Sequence, residues 1–208
     1  MNTREVTAKE LKELDPKLFE KEYYKWQEYA GDYFAEGVQE MFTEDMAEFG
    51  VEVQDISYSG FYHQGSYAAF TGRIKIAEWM ESVDGLSTEY VALYLAVLED
   101  GSFATVHTSP RGNMRVDFDG FYDSLPVGVF SGLDQESWDE LLEEQVADAA
   151  LDDRLKEWCD DKTKDLYRTL EKAYEWATSE EQFIESCDCN DVTFEIEDED
   201  EDCLTQGD

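Results

Sequence analysis

Basic residues are scarce in this sequence. It has 16 Lys and Arg against 52 Asp and Glu, which gives a formal net charge of -36. A surface of this charge repels DNA, RNA and anionic lipid and attracts basic surfaces. We therefore expect a basic protein partner, no direct binding of nucleic acid and no membrane association. Adaptation to very high salt is the alternative, although halophilic surfaces prefer Arg to Lys and this chain has ten Lys and six Arg.

Residues and motifs typical of catalysis are also few. The only histidines are His63 and His107, and the sequence has no phosphate-binding loop, dinucleotide fingerprint or nucleophile elbow. Carboxylate pairs occur throughout the chain, so no pair is diagnostic of a hydrolase. We expect a protein that is not an enzyme and needs no cofactor. A metal-dependent enzyme is the alternative that stays open.

Cysteines number four, which is too few for the disulfide framework of a secreted chain of this length. Cys187 and Cys189 are separated by one residue, whereas zinc sites usually separate two thiolates by two or more. We expect reduced thiols and a cytoplasmic location, and metal binding by Cys159, Cys187 and Cys189 stays open. The apolar run from Tyr90 to Leu98 is too short to span a bilayer, and no signal-peptide pattern opens the chain.

Apolar residues make up 42% of the chain and aromatic residues 14%, enough for a packed core. Helical spacing of apolar residues occurs towards both ends, with Pro16 opening one helix and Gly50 ending another. The middle of the chain alternates apolar and polar residues, as strands do. We predict an α+β fold, with helices at both ends packed on a central antiparallel sheet. One domain should cover 1–196, and 197–208 should be a disordered acidic tail.

Acidic residues are concentrated in two predicted helices that lack basic neighbours. A helix starting at Asp134 should carry one acidic face, because its acids recur every three to four residues. No basic residue lies between Lys25 and Arg73, and a second acidic helix falls in that gap. A solvated acidic face without a partner is the alternative. The predicted partner-binding carboxylates are Asp134, Glu136, Glu140, Glu143, Glu144 and Asp148 in the first helix and Glu36, Glu40 and Glu44 in the second.

Glycines and aromatic residues alternate in the segment 59–72. Glycines at 60, 65 and 72 indicate tight turns, so a purely structural hairpin is one interpretation. The other is a loop that contacts a partner, with Phe61, Tyr62 and Tyr67 as anchors.

A family resemblance is carried by this same segment. Its sequence is SGFYHQGSYAAFTG, and Ile76-Ala77-Glu78-Trp79-Met80 follows shortly after. Together with GVFSGLDQESWDELLEEQ and FIESCDCNDVTFEIE, it resembles a family of small acidic proteins encoded by tailed bacteriophages. The resemblance covers about residues 10 to 197 and implies a phage protein acting in the host bacterial cytoplasm. It implies no activity, and it transfers no functional residue.

Two functional hypotheses follow. The first is a phage-encoded DNA mimic that blocks a host nucleic-acid-binding or defence protein, similar in kind to anti-restriction proteins, because carboxylates on rigid helices can take the place of phosphates. The second is an antitoxin-like or regulatory module that binds a protein through the aromatic loop 59–72. A homodimer is left open in both.

Overall fold

The computed structural model describes residues 3–31, 33–83, 103–108, 114–119 and 150–197. These residues belong to two compact units: Met1–Ala35 with Lys172–Asp208 forms unit 1, and Glu36–Glu171 forms unit 2. This division does not test whether 1–196 form a single domain, which stays a prediction. The described helices are α1 Ala8–Leu14, α2 Pro16–Ala30, α3 Ala35–Ala47, α4 Ile76–Ser82, α5 Ala150–Ala177 and α6 Glu180–Cys189. The described strands are β1 Thr3–Val6, β2 Val51–Ser59, β3 Tyr67–Lys75, β4 Phe103–Thr108, β5 Met114–Asp119 and β6 Phe194–Glu197.

Unit 1 joins the two ends of the chain. Strand β1 pairs antiparallel with β6, with Val6 opposite Phe194. Helix α1 begins with a capping box, in which the Thr7 side chain accepts from Glu10 N and the Glu10 side chain accepts from Thr7 N. The Asp15 side chain caps α2 by accepting from Leu18 N, and Pro16 occupies the first helical position as predicted.

The core of unit 1 is small and aromatic. The Phe183 ring of α6 lies 5.4 Å from the Phe19 ring and 5.5 Å from the Trp26 ring, both of α2. Aromatic pairs at these distances add about 0.5–1.5 kcal/mol beyond area burial. The buried residues of this cluster are Val6, Ala8, Leu11, Phe19, Phe183, Cys187 and Ile196.

Unit 2 contains an antiparallel four-stranded sheet in the order β2-β3-β4-β5. Helix α3 packs on it through the Phe42 ring, which lies 5.4 Å from the Phe70 ring of β3 at 63°. In the same unit, the Trp158 ring of α5 lies 5.4 Å from the Phe49 ring and 6.0 Å from the Trp79 ring. Aromatic side chains thus pack α3 against the sheet and α5 against α4.

The predicted α+β class, with helices and a central antiparallel sheet, is confirmed. Helix α3 ends at Ala47 and is followed by a turn to Gly50, whose φ is +72°. The alternation of Ile74 and Ile76 with polar residues predicts a strand through Ile76. This prediction is wrong at its end, because β3 stops at Lys75 and Ile76 is the first residue of α4. The predicted tail lies outside the described residues except for Glu197, which is the last residue of β6.

Candidate functional site

Helix α3 presents its acidic residues on one side because its apolar residues fix its rotation. Ala35, Val38, Phe42 and Met46 are buried. Glu36, Glu40 and Glu44 recur at four-residue spacing, which places them on one face of the helix, and all three are exposed. Turning these carboxylates inward would expose Phe42 and Met46, so packing holds the acidic face outward.

These three glutamates form one wall of an open groove. Strand β2 forms the other wall with Val53, Gln54, Asp55 and Ile56, and the space between has a volume of about 660 Å³. Carboxylates from two elements, a helix and a strand, therefore face the same space. We call this feature the acidic groove and define it by Glu36, Glu40, Glu44 and Asp55.

A β-bulge shapes the strand side of the acidic groove. Val53 pairs with Gly72 and Asp55 pairs with Thr71, so Gln54 is inserted between two ladder partners. Bulges re-aim the side chains that follow them. Gly72 permits this geometry, because a Cβ there would lie 2.7 Å from the Glu52 carbonyl oxygen. The position of Asp55 is thus built into the sheet.

Among the described residues that line the acidic groove, none is basic. In the parts of the chain that the structure describes, the lysine ion pairs lie elsewhere, such as Lys164 with Asp160 at 2.6 Å and Lys75 with Glu78 at 2.7 Å. A cleft lined by one sign of charge, with low-dielectric walls, concentrates the field and attracts cationic groups. The acidic groove can therefore bind basic side chains.

The predicted aromatic contact loop divides into a buried and an exposed part. Phe61 is 8% exposed, and its ring lies 5.7 Å from the Tyr167 ring of α5. This burial leaves Phe61 little surface for a partner. Tyr62 is 64% exposed and has a φ of +67°, a left-handed conformation that is unfavourable for a bulky residue. Tyr67 is half-buried and is the first residue of β3.

The turn between β2 and β3 is held by His63 and Ser66. The His63 ring donates from Nδ1 to the Phe61 carbonyl at 2.6 Å, and the Ser66 hydroxyl donates to the His63 carbonyl at 2.9 Å. These bonds fix the backbone on both sides of Tyr62 and give His63 a structural role.

The cysteines do not share one site in the described structure. Cys187 is buried and Cys189 is exposed, since residues two apart on a helix face different directions. Burial raises the pKa of the Cys159 thiol to about 12. Across the ranges that the structure describes, no three His, Cys, Asp or Glu side chains are grouped to hold a metal ion.

The other predicted acidic surface lies outside the described residues. It comprises Asp134, Glu136, Glu140, Glu143, Glu144 and Asp148. Of the predicted partner-binding acids, the structure therefore places Glu36, Glu40 and Glu44. It adds Asp55 of β2 to them, because Asp55 lines the same groove, and helical spacing within one element could not predict this.

Comparison with protein families gives a match over residues 34–180 to a family described as Domain of unknown function (DUF8835). The chain belongs to this family. The matched DUF8835 region contains every residue of the acidic groove. No curated protein and no solved structure matches the chain. Within the described part of this DUF8835 protein, no helix is both long and apolar enough to cross a membrane.

Proposed function

We propose that this protein is a non-catalytic inhibitor that imitates nucleic acid and blocks a basic, nucleic-acid-binding protein of its host. The observation that carries the proposal is the acidic groove. It combines acidic residues from a helix and a strand on packed elements, and the lining residues that the structure describes include no cation. A ligand that holds several negative charges in fixed positions can occupy the surface that a partner uses for phosphates.

The spacing of the charges is compatible with this role. Residues four apart on a helix are separated by about 6 Å along its axis. One DNA strand carries a phosphate every 3.4 Å or so of axis, so the α3 carboxylates are about half as dense as the phosphates of a single strand. Asp55 on the facing wall adds to this density. A partner with a basic cleft would meet several charges at once.

The cellular context of the proposal is a bacterium infected by a phage. The resemblance to acidic proteins of tailed phages supports the host bacterial cytoplasm as the place of action. The target we propose, a defence protein such as a restriction complex, comes from the analogy in charge and composition with anti-restriction proteins. Such a target binds DNA through phosphate contacts, and a mimic without bases competes for those contacts regardless of sequence.

Competition against DNA tests the proposal. Protein captured from a bacterial lysate at about 50 mM salt should be released by about 300 mM salt, because the interaction is electrostatic. The captured protein should itself bind duplex DNA, and duplex DNA should displace it from this chain. If the captured protein has no affinity for DNA, or DNA does not displace it, nucleic-acid mimicry is ruled out.

A regulatory module that binds through the β2–β3 turn is the second candidate function, and Tyr62 favours it. This residue combines 64% exposure with a left-handed backbone that the surrounding hydrogen bonds hold in place. Unfavourable backbone conformations are often kept where a side chain has a function. Under this candidate Tyr62→Ala abolishes partner binding, while Glu36→Gln, Glu40→Gln and Glu44→Gln together leave it intact.

A further inference from the structure

A second cavity lies on the opposite flank of α3, between α3 and α5. Its volume is about 140 Å³, and Val38, Met41, Phe42, Met46 and Leu166 supply apolar walls. Asp45, Asp165 and Thr169 also line it. A mostly apolar cavity with two acidic residues in its lining combines two kinds of recognition in one small space.

The size and chemistry of this cavity match a long cationic side chain. A cavity of about 150 Å³ is large enough for benzene, so this one has room for a chain of several methylene groups. Lysine and arginine bury their methylene groups against apolar surface and keep the charged group at a polar edge. The apolar walls would take the methylene groups, and Asp45 and Asp165 would take the charge.

Lys162 also lines the cavity and is the one cation in that lining. Its ammonium lies 4.4 Å from the centroid of the Phe49 ring and 5.5 Å from that of the Trp158 ring. The Lys162 ammonium therefore has two aromatic partners, Phe49 and Trp158, which are not among the residues that line the cavity. Asp165 lies 3.3 Å from Arg168 across an exposed ion pair, a contact that contributes little.

The acidic groove and this cavity can be contacted by one partner. Successive residues of a helix are rotated by about 100°, so the groove residues and the cavity residues of α3 fall on opposite flanks. Met41 lines the cavity and is also 49% exposed, so the cavity side of α3 includes accessible surface. A partner that lies across α3 reaches the groove on one side and the cavity on the other.

We propose that the cavity between α3 and α5 receives one lysine or arginine side chain of the basic partner. This inference rests on the proposed function, since it names the residue by which that partner is anchored. Charge complementarity selects the occupant, because the two acidic residues of the cavity favour a cation over a neutral apolar group.

Methionine methyl NMR of the full chain tests this directly, with n-butylguanidinium as the probe. Met41 and Met46 line the cavity, and Met80 is buried in α4 outside its lining. Titration at about 150 mM salt, where charges more than about 8 Å apart are screened, should shift the Met41 and Met46 methyl signals saturably and leave Met80 unchanged. Neutral 1-pentanol should bind at least about fivefold more weakly.

Three variants make the result specific. Asp45→Asn with Asp165→Asn should weaken n-butylguanidinium binding about fivefold, and Lys162→Met should strengthen it about twofold by removing a like charge. An unchanged Met80 signal confirms that each variant is folded. Glu36→Gln, Glu40→Gln and Glu44→Gln together should leave the titration within about twofold, so the cavity and the groove are tested separately.

The opposite results overturn the inference. Equal binding of 1-pentanol would make the cavity a general apolar site, and weaker binding by Lys162→Met would exclude repulsion between that residue and a bound cation. If Asp45→Asn with Asp165→Asn left n-butylguanidinium binding unchanged, the two carboxylates would have no role in binding the cation. None of these three results bears on the acidic groove. If DNA competition failed while n-butylguanidinium still bound the cavity as expected, the proposed function would be rejected and cation binding by the cavity would not.

Discussion

Glu40 of helix α3 and Asp55 of strand β2 line the same groove, although they belong to different elements. The apolar residues of α3 fix the direction of Glu40, and the bulge at Gln54 fixes the position of Asp55. Because packing and backbone geometry fix the positions from which the two side chains project, the backbone of the acidic groove keeps its shape before a partner arrives. A preformed charge array loses less entropy on binding than flexible acidic side chains do.

The acidic groove should lower the stability of the protein. Glu40 has a glutamate four residues before it and another four residues after it, and each such pair costs about 0.2–0.5 kcal/mol. Glu40→Gln should therefore raise the free energy of unfolding by about 0.4–1 kcal/mol in low salt. Urea denaturation measures it, and the gain should shrink in about 1 M salt, where the screening length is about 3 Å.

Asp160→Asn is the matched control for that change. It also removes one carboxylate from an exposed helical position, but Asp160 pairs with Lys164 at 2.6 Å. Its free energy of unfolding should fall slightly rather than rise. A loss of stability on Glu40→Gln would show that its carboxylate has a stabilising partner and would contradict the idea of an unneutralised groove.

Phe61 and Tyr62 should respond differently to alanine, although they are adjacent. Phe61 packs against Tyr167 and is buried, so Phe61→Ala should lower the free energy of unfolding by about 3–5 kcal/mol. Tyr62→Ala should change it by less than about 1 kcal/mol, because the side chain is mostly exposed. Thermal unfolding measures both. A large loss on Tyr62→Ala would mean that the ring is a packing residue and would weaken the second candidate function.

Glycines 37 and 50 should give alanine effects of opposite sign. Gly37 lies in α3 with nothing within 4 Å of a Cβ added there, so Gly37→Ala should stabilise by about 0.5–1 kcal/mol. Gly50 has a φ of +72°, and a Cβ would lie 2.5 Å from Glu78 Cβ. Gly50→Ala should therefore destabilise by about 1–3 kcal/mol, as residues in unfavourable backbone regions do. Urea denaturation that gave the same sign for both variants would contradict the turn geometry at Gly50.

Cys159 and Cys189 should differ in reactivity. Burial raises the pKa of Cys159 to about 12, and Cys189 is exposed. Because the thiolate is the reactive form, iodoacetamide at about pH 8 should label Cys189 and spare Cys159, as read by peptide mass spectrometry. Labelling of Cys159 at a similar rate would contradict its burial.

The same burial makes stability depend on alkaline pH. An unfolded thiol ionises near about pH 8.5, whereas the folded Cys159 ionises near 12. The unfolded state therefore loses its proton first, and the free energy of unfolding should fall above about pH 8.5, by up to 1.4 kcal/mol or so per pH unit. Cys159→Ala should show a shallower fall between about pH 9 and 11 than the unmodified chain.

Local signals were sufficient to predict most elements. Pro16 and Gly50 marked the start of α2 and the turn after α3 correctly, because proline and glycine act through their own backbone geometry. The spacing of Glu36, Glu40 and Glu44 likewise predicted their common face. In each case the property depends on residues within one or two helical turns.

Pairing between distant segments could not be predicted in this way. Strand β1 has only one buried residue, Val6, and it exists because it pairs with β6 at the other end of the chain. The placement of Asp55 opposite α3 and the cavity between Asp45 and Asp165 depend on tertiary contacts too.

If the acidic groove takes the place of DNA on a basic partner, this chain should displace labelled duplex DNA from that partner. The partner captured from a bacterial lysate would be loaded with fluorescent DNA, and anisotropy would follow its release by three proteins. These are the unmodified chain, a groove variant with Glu36, Glu40 and Glu44 changed to Gln, and a control variant with Glu13, Glu20 and Glu157 changed to Gln. The two variants have the same net charge, and all the residues changed in the control are exposed.

If the acidic groove binds the partner, the unmodified chain and the control variant should release DNA at similar concentrations. The groove variant should need a concentration at least about tenfold higher. The salt dependence should also weaken for the groove variant, since each lost charge contact lowers the logarithmic slope by about one. Equal release of DNA by the groove and control variants would contradict a specific role of the acidic groove, because total charge would then govern binding.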